Sequence, residues 1–497
     1  MRTRSMFFAA ALPVLAAVGG CVSLSPTTEL APPSEATFRN AEAFGARTIV
    51  STSATAADQT LWWRRFGDPD LTRLVETALM SNLDVAQAEA RLAEANALVG
   101  RARADRLPSG GANASVARQR QSLEGPIGQF ASNAPGYTRD GTVFETGVQA
   151  SWEPDLFGRL GASAQAAKAS QSETAALLDG VRIRIAAETA DAWLSFAGAN
   201  EQILLIEQQC EVLRRLTSTV SRRFEVSEAG LGELEQARAD LARMEALLAL
   251  MSIEAEVQRN RITVLTGGDD VIDIPDRLPV APLFGVTGTP ASVLRQRPDV
   301  RAAEARVMAS DARVGAALAE YYPSVSIAGL AGFQALDADL LFNGSAVNAQ
   351  ALVGLRWRLF DFTRIDAEVA AARARGDGAI FAYRAALLVA SEDVENALFS
   401  LVAREREAAD LARTVGSLEA VSQASQRTYD AGLIGLPELL DVERRLLAAR
   451  QEDVFARLGV ARSAVAVFRA TGEGIGEKTS AHPAVPNTKS RPTMLPG

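Results

Sequence analysis

Histidine and cysteine are scarce, and their scarcity excludes most catalytic chemistry. The 497 residues contain one histidine and two cysteines, so a zinc site built from His and Cys ligands is not available. The histidine, His482, lies beside Pro483 in a proline-rich tail, where it could not serve as the ordered base of a Ser-His or Cys-His pair. No GxxxxGK[ST] phosphate loop occurs. The sequence therefore predicts a non-enzyme with no cofactor and no metal, with catalysis by acidic residues alone as the alternative.

Aromatic residues and positive charge are also limited. Aromatics form 6% of the chain, whereas hydrophobic residues as a whole form 48% and alanine is the commonest residue. Small side chains at this frequency favour closely packed helices over a globular α/β core. The formal net charge is −9, and the lack of a basic patch argues against binding to nucleic acid.

After residue 21 the sequence has no apolar run long enough for a membrane-spanning helix. Residues 1–20 have the arginines, the apolar stretch and the small residues of a secretory signal peptide. The run VGGC that ends at Cys21 is similar to a bacterial lipobox, which predicts lipidation of Cys21; an ordinary signal peptide is the alternative. Cys210 then has no disulfide partner and is expected to be a small packed apolar residue. The protein is either tethered to a membrane by lipid alone or crosses it as a β-barrel.

The chain contains an internal duplication. Residues 84–109 align without gaps to 299–324, and residues from Arg159 onward align to those from Arg364 with a smaller shift. A longer loop in the first copy, between Ser109 and Arg159, explains the change of shift. The sequence thus predicts a first repeat at 61–267 and a second at 291–472. It also predicts a proline-rich linker at 268–290, an extended segment at 21–60 and a disordered tail at 473–497.

Each repeat reads as a helix, two strands, a long helix and a further helix. Residues 160–226 lack proline and are rich in good helix formers, and a continuous helix of that length would extend about 100 Å. In the next segment apolar residues recur every seven positions, with a second set three positions further on. The first set is Leu234, Leu241, Leu248, Ala255 and Ile262; the second is Ala237, Met244, Met251 and Leu265, with Gln258 as the exception. This heptad pattern predicts left-handed coiled packing, which a soluble coiled-coil scaffold would also show.

Four segments alternate between apolar and polar residues, as half-buried and membrane-spanning strands both do. They are Phe144–Trp152, Val325–Phe333, Val347–Leu359 and, least clearly, Ala112–Ser122. Aromatic residues cluster where these segments meet the helices: Trp152, Phe157, Tyr321, Tyr322, Trp357 and Phe360. We interpret them as membrane-interface aromatics. The alternative is that they only fill the junction between strands and helices.

Four strands are too few to close a barrel, since even the small barrels use about eight. An edge strand in lipid would leave backbone N–H and C=O groups without partners. The strands must therefore be shared between chains, with two copies as the minimum and three supplying twelve strands.

Four motifs resemble those of a known family. They are LWWRRFGDP at 61–69, WEPDLFGR at 152–159, RPDV at 297–300 and ELLDVER at 438–444. Together they look like the recurring motifs of TolC-type outer-membrane efflux ducts, and most closely those of the lipoprotein branch that serves resistance-nodulation-division pumps, over residues 21–472. The resemblance implies a mainly α fold with a membrane β part. In a homotrimer, long coiled-coil-like helices would form a periplasmic α-barrel, and four strands per chain would form a shared twelve-stranded barrel.

The resemblance also implies a location and partners. The protein would lie in the outer membrane of a Gram-negative bacterium, surrounded by its lipid, anchored through Cys21 and extending into the periplasm. A periplasmic adaptor protein and an inner-membrane pump would complete the exit route.

The resemblance further implies a gate at the turn between the last two long helices. In the family, acidic residues there form a ring that constricts the aperture, and the matching positions are Glu438 and Asp441, with Tyr429 nearby. The two acids share one helix face, and a ring of carboxylates selects for cations and can be closed by divalent ions. The alternative, above all for Glu438, is stabilisation of the helix N-terminus. Ile434 stands where some members carry an arginine, and the first-repeat counterpart of Asp441 is Gln236.

These expectations describe an outer-membrane channel that passively conducts small molecules, such as drugs and toxic compounds, past an acidic gate. Two alternatives stay open. One is a duct of the same architecture that secretes polypeptides in a type I system. The other is a lipid-anchored periplasmic coiled-coil adaptor or scaffold, which would need no detergent for extraction once Cys21 is replaced.

Overall fold

The computed structural model describes residues 61–131, 134–135, 137–268, 272–275, 277–282 and 290–472. The predicted signal peptide, Cys21, the segment 21–60, His482 and the tail 473–497 lie outside the described residues. Helices predominate in the described part, and four strands form one antiparallel sheet. The predicted fold class, mainly α with a small β part, is confirmed. Of the helices described, none has both the length and the apolar character needed to span a membrane.

The elements follow the same order in both repeats. The first repeat contains α1 (Pro69–Ser81), α2 (Leu83–Ala104), β1 (Ser109–Arg120), the short α3 (Pro126–Ala131), β2 (Asp140–Trp152), α4 (Arg159–Glu225) and α5 (Leu231–Leu265). The second contains α6 (Pro290–Gln296), α7 (Pro298–Ala319), β3 (Ser324–Ala335), β4 (Val347–Arg356), α8 (Phe362–Asp430) and α9 (Leu436–Thr471). A 3₁₀ helix, Trp62–Phe66, precedes α1, and two more, Ala338–Leu340 and Gly344–Ala346, connect β3 to β4.

The bounds of these elements confirm the internal duplication. A shift of 215 positions (83 to 298) carries α2 onto α7 and β1 onto β3, end for end. A shift of 205 positions (231 to 436) carries α5 onto α9 to within one residue. The two shifts differ because the connection from β1 to β2 is longer than the connection from β3 to β4, as the sequence indicates.

The strands form a sheet in the order β1-β2-β3-β4, with every neighbouring pair antiparallel. The least clear strand prediction, Ala112–Ser122, corresponds to Ser109–Arg120. The strand predicted to reach Leu359 ends at Arg356. The next residue is Trp357, whose indole N–H donates to the carbonyl oxygen of Tyr321 at 3.0 Å.

Helix α1 begins at a strong N-terminal cap. The Asp68 carboxylate accepts the backbone N–H groups of Asp70 (2.8 Å) and Leu71 (2.9 Å), and Pro69 occupies the first turn, where no backbone N–H is needed. The other Asp68 oxygen accepts the indole N–H of Trp193 on α4 at 3.0 Å. The motif at 61–69 therefore fixes the start of α1 against a long helix.

The predicted heptad positions of α5 lie on its buried and half-buried side. Leu234, Ala237, Ala255, Ile262 and Leu265 are buried, and Leu241, Met244, Leu248, Met251 and Gln258 are half-buried. Apolar residues outside the heptad set remain exposed, among them Ile253 and Val264. The seven-residue period thus marks the packed side of the helix.

In each repeat a side chain links the end of the last helix to the start of an earlier one: α5 to α2 in the first repeat, and α9 to α7 in the second. We call these two links the joints. In the first repeat the Asn82 side-chain amide donates to the carbonyl oxygen of Leu265 at 3.0 Å. The counterpart in the second repeat is Arg297, which donates to the carbonyl oxygen of Ala470 at 2.8 Å. Side chains at these joints therefore satisfy carbonyls that a helix end leaves free.

Arg297 is buried and held by two carboxylates. Its guanidinium lies 2.8 Å from Asp299 and 2.8 Å from Asp393. Burial acts to lower the pKa of Arg297, but the hydrogen bonds and charges of the two aspartates outweigh burial, and the pKa is raised. The joint of the second repeat is therefore charged, whereas that of the first is neutral.

The chain forms two compact units, each built from both repeats. One comprises Arg91–Thr174 and Ala302–Arg384 and contains the sheet; the other comprises the described residues before Arg91, from Ala175 to Arg301, and from Ala385 onward. The predicted linker contributes to the second unit, because Leu278 is buried and its backbone N–H donates to the Glu201 carboxylate at 3.0 Å.

Candidate functional site

The sheet has one apolar face and one mostly polar face. Strand alternation and the observed register place the following on one face: Val116, Phe144, Val148, Ile327, Phe333, Val347, Val353 and Leu355. The opposite face includes Asn113, Glu145, Gln149, Asn348 and Gln350. Val148, Val353 and Leu355 are more than half exposed, so the described residues leave the apolar face largely uncovered. An exposed apolar surface of this extent is typical of contact with lipid or with another protein.

The predicted interface aromatics lie at one end of the sheet. Trp152 ends β2 and is opposite Ile327 near the start of β3. Tyr321 and Tyr322 precede β3, and Trp357 follows β4, whose end pairs with the start of β3. The register therefore brings the aromatic positions of both repeats to the same sheet end.

These aromatics divide between packing and exposure. The rings of Phe157 and Tyr322 stack with centroids 4.9 Å apart, and the Trp152 indole N–H donates to the carbonyl oxygen of Arg106 at 3.0 Å. The Tyr321 hydroxyl donates a hydrogen bond to the Asp366 carboxylate. Phe360, in contrast, is fully exposed. Some of the set therefore fills the junction between strands and helices, while Phe360 faces outward.

Charged residues that sequence reasoning did not single out also meet at this junction. Glu320 lies 3.3 Å from Arg358 and 3.9 Å from Arg159, which come from different repeats. Arg358 also binds Glu368 at 3.0 Å, and Arg159 binds Glu153 at 2.7 Å. Their pairing depends on strand register, so spacing along the sequence gave no signal for it.

The turns that join the long helices have the same backbone geometry in both repeats. After α4, Ser227 has a φ of 63°, and after α8 the counterpart Gly432 has a φ of 72°. In each turn two backbone hydrogen bonds close back onto the last helical turn, as in a Schellman motif. The left-handed residue is what reverses the chain at both turns.

Each carboxylate predicted to form the gate is held within its own helix. Glu438 accepts the backbone N–H of the N-cap residue Gly435 at 2.6 Å, which is the acidic half of a capping box. Asp441 accepts a hydrogen bond from Arg444 at 2.7 Å and lies 2.7 Å from Arg445. The hydrogen bond from Arg444, followed by the charges of both arginines, lowers the pKa of Asp441. Asp441 is therefore ionised at neutral pH but largely neutralised locally.

Tyr429 lies beside this turn. Its carbonyl oxygen accepts the backbone N–H of Gly432 at 2.8 Å, and its side chain is half-buried. Acidic residues outnumber arginines around the turn after α4 as well as around the turn after α8. Tyr429 thus lies just before the turn that joins α8 to α9, and Glu438 and Asp441 lie just after it, in an acidic segment.

A groove of about 1160 Å³ runs along four helices of the second unit, and sequence reasoning missed it because α4, α5, α8 and α9 each contribute to it. Its charged lining consists of Arg184, Glu188, Asp191, Arg261, Arg297, Asp299, Asp393, Arg404, Arg462 and Arg469. Ion pairs cross it, such as Arg462 with Asp191 at 2.6 Å. A buried aromatic of the same helix, Phe468, stacks instead on Trp62 with ring centroids 5.1 Å apart. The groove therefore combines charged side chains with apolar ones such as Ile183 and Val465.

Comparison with known proteins identifies the family. The family model described as "Outer membrane efflux protein" matches residues 74–268 and 289–473. The chain is 29% identical to outer membrane protein OprJ of Pseudomonas aeruginosa over 444 residues, covering 86% of this chain and 88% of that protein. It is 26% identical to the solvent efflux pump outer membrane protein SrpC of Pseudomonas putida over 462 residues, covering 92% and 96%.

A solved structure shows the same fold. The outer-membrane channel OprN superposes with a TM-score of 0.78 at 28% identity, covering 90% of this chain and 99% of that one. Because the family match extends over most of both repeats, this chain belongs to the outer membrane efflux protein family.

Proposed function

We propose that three copies of this chain form a passive outer-membrane duct for small molecules, as the exit component of a tripartite efflux system. One observation carries the proposal: among the described residues, the sheet has a largely uncovered apolar face, a mostly polar opposite face and two edge strands without partners. In lipid such a sheet is stable only when its edges are closed. Closure among copies would turn the apolar face to lipid and enclose the polar face.

The duct would perform no chemistry. The groove along α4, α5, α8 and α9 would supply part of the wall, where paired arginines and carboxylates such as Arg462 and Asp191 keep the surface hydrated. An inner-membrane pump and a periplasmic adaptor would supply energy and opening. The relatives named as efflux pump outer membrane proteins support this assignment.

The gate would lie at the turn before α9. Asp441, with Arg444 and Arg445, forms a charged cluster there, and three copies would bring three clusters together. Glu438 would act chiefly as the helix cap, since its carboxylate accepts the Gly435 N–H. The negative charge at the aperture would then depend on Asp441 more than on Glu438. Tyr429 would position the same turn through its backbone.

Cys21 would carry a lipid anchor. The VGGC run supports this, and two acyl chains add membrane affinity to that of the sheet.

Planar-bilayer recording of the purified protein tests the proposal. We expect stepwise conductance without added nucleotide, and we expect Asp441→Asn to raise that conductance and weaken its block by divalent cations. Glu438→Gln removes a carboxylate at nearly the same place and should change conductance less while lowering thermal stability. Glu419→Gln, which removes an acid paired with Arg450 further along the helices, is the matched control. The absence of conductance from intact oligomers would overturn the duct; equal effects of the variants at 441 and 419 would overturn the gate.

A further inference from the structure

The apolar face of the sheet carries charge at one end only. Along β1, Arg118 and Arg120 follow four residues of the same face that have no charge: Gly110, Ala112, Ala114 and Val116. Arg120 lies opposite Asp140, the first residue of β2, and no other charged residue of the four strands belongs to this face. Because α2 leads into the start of β1 and α4 follows the end of β2, the charged end is the one away from the helices.

The charged end and the aromatic end are one membrane thickness apart. Arg118 lies opposite Thr142, and Trp152 ends the same strand. At about 3.3 Å per residue, Thr142 and Trp152 are about 33 Å apart along β2. The strands of membrane barrels are tilted by about 35–45°, which reduces this distance to about 25 Å across the membrane, the height of the apolar band of such barrels. Arg118 and Arg120 therefore lie at the membrane border opposite the aromatic residues.

The fold indicates which leaflet this border faces. The helices α2, α4, α7 and α8 all connect to the aromatic end of the sheet. In the proposed duct these helices extend into the periplasm, so the charged end lies at the outer leaflet of the outer membrane. The inference drawn from Arg118 and Arg120 rests on this orientation, and hence on the proposed function, to which it adds a ligand.

Both arginines are accessible to a ligand. Arg118 is exposed, and its guanidinium forms no ion pair with the described residues. The side chain of Arg120 is 66% exposed, and the Asp140 carboxylate lies 3.7 Å from it, which is too far for a hydrogen bond. The nearby Arg139 is held differently, since its side chain donates to the carbonyl oxygen of Gln121 at 2.9 Å. Positive charge therefore exceeds negative charge at this end of the apolar face.

Phosphate is the group that this pair of arginines suits. Alternate residues of a strand lie on one face about 7 Å apart, so the two guanidinium groups can reach one anion between them. A guanidinium binds phosphate through paired hydrogen bonds. Arginines at a membrane border lay their carbon chains on apolar surface and direct their charge toward the headgroups. We propose that Arg118 and Arg120 bind the phosphate of an anionic lipid in the outer leaflet of the outer membrane.

The internal duplication shows that the fold itself does not require arginine at these positions. The shift of 215 positions that carries β1 onto β3 places Phe333 at the position of Arg118, and Ala335 at that of Arg120. Phe333 contacts Phe342 edge to face, with ring centroids 5.5 Å apart. The second hairpin is therefore apolar where the first is basic, and each chain has one such site.

Native mass spectrometry of the purified oligomer tests the proposal, with diphosphorylated lipid A as the probe and lipid A stripped of its phosphates as the reference lipid. We expect Arg118→Gln combined with Arg120→Gln to weaken binding of the diphosphorylated lipid several-fold and to leave binding of the reference lipid unchanged. The matched control is Arg406→Gln with Arg413→Gln, which removes the same charge from exposed positions of α8 and should bind as the wild type does. The same spectra give the mass of the oligomer, so they show whether each variant assembles.

Asp140→Asn tests the site in the opposite direction. It removes the one acid that shares this face of the strands and leaves both arginines in place. Binding of diphosphorylated lipid A should become tighter, and more salt should be needed to weaken it. If the variant without Arg118 and Arg120 does not assemble, this measurement decides, and a lack of any gain in binding would count against the proposal.

The outcomes separate the lipid site from the duct. Equal binding of the two lipids by the wild type, or undiminished binding by the variant without Arg118 and Arg120, would overturn the site while conductance in planar bilayers leaves the duct in place. Displacement of the lipid by millimolar inorganic phosphate would indicate a site for the free anion, and it would also overturn the proposal. Intact wild-type oligomers without conductance would overturn the duct, together with the orientation on which the site rests.

Discussion

Ser227 and Gly432 occupy equivalent positions and both have a left-handed backbone conformation, but only Ser227 has a side chain. They therefore allow a direct test of the free energy that a side chain costs in this conformation. A non-glycine residue in this conformation costs roughly 1–2 kcal/mol. We expect Gly432→Ala to lower stability by about 1 kcal/mol, because its Cβ would meet no atom within 4 Å and only the backbone is penalised. Ser227→Gly should stabilise by up to about 1 kcal/mol. Thermal unfolding followed by circular dichroism measures both.

Gly416 provides the contrast. It lies within α8, and a Cβ there would also meet open space, but helical φ favours alanine by roughly 1 kcal/mol. Gly416→Ala should therefore stabilise. A destabilising Gly416→Ala together with a neutral Gly432→Ala would contradict the backbone explanation.

The lowered pKa of Asp441 gives a second residue-scale prediction, on pH dependence. A carboxyl group whose pKa is lower in the folded state contributes stability above its unfolded pKa of about 3.9, and that contribution is lost as the pH falls through the folded pKa. Because Asp441 is partly exposed, we expect the wild type to exceed Asp441→Asn by only a few tenths of a kcal/mol at neutral pH. The difference should vanish once the pH has fallen below the folded pKa of Asp441. Urea unfolding across pH checks this, and a difference that grows on acidification would contradict it.

The roles of these residues were only partly readable from the sequence. The spacing from Asp441 to Arg444 and Arg445 is the i to i+3 and i+4 spacing of helical ion pairs, so local neutralisation of Asp441 could have been predicted. Glu438 follows Gly435 by three positions, the spacing at which an acidic side chain reaches back to the backbone N–H of the N-cap residue. In contrast, the contact of Glu320 with two arginines depends on which strands are neighbours, and no local pattern encodes that.

Among the elements, the two joints differ in chemistry and should differ in strength. Arg297→Ala leaves two carboxylates without their shared cation and a helix carbonyl without its donor, which we expect to cost about 2–3 kcal/mol. Asn82→Ala removes a neutral buried hydrogen bond and should cost about 1–2 kcal/mol. The exposed Arg301, which forms an ion pair with Asp179, gives the control, with an expected cost below about 1 kcal/mol. Thermal midpoints rank the three, and a larger loss for Asn82→Ala than for Arg297→Ala would refute the ranking.

Element types were more predictable than element ends. The heptad pattern from Leu234 to Leu265 and the proline-free stretch after Arg159 specify helices by local chemistry alone. The first strand was the hardest to predict, since Gly110, Gly111 and Ala112 give little alternation, and its pairing with β2 decides its extent. Leu278 lies in a proline-rich stretch but is buried, and Glu201 on a distant helix accepts its backbone N–H, a contact that no local pattern predicts.

For the whole molecule, the sheet and the predicted lipid should hold the protein in the membrane independently. We expect Cys21→Ala to lose the acyl mass but to remain in the membrane pellet after an alkaline wash, because the apolar sheet face still requires lipid. Mass spectrometry of the N-terminus and fractionation of the pellet measure the two effects. Release of the variant into the wash would favour a scaffold that is only tethered.

The equal lengths of α2 and α7, and of β1 and β3, have a consequence for engineering and for natural variation. Adding one residue inside either helix would rotate every later side chain by about 100° and would turn the strand that follows onto its wrong face. The hairpin connections at 121–139 and 336–346 already differ in length between the repeats. Peptide tags and sequence insertions should therefore be accepted in those connections and rejected in the helices that lead to them.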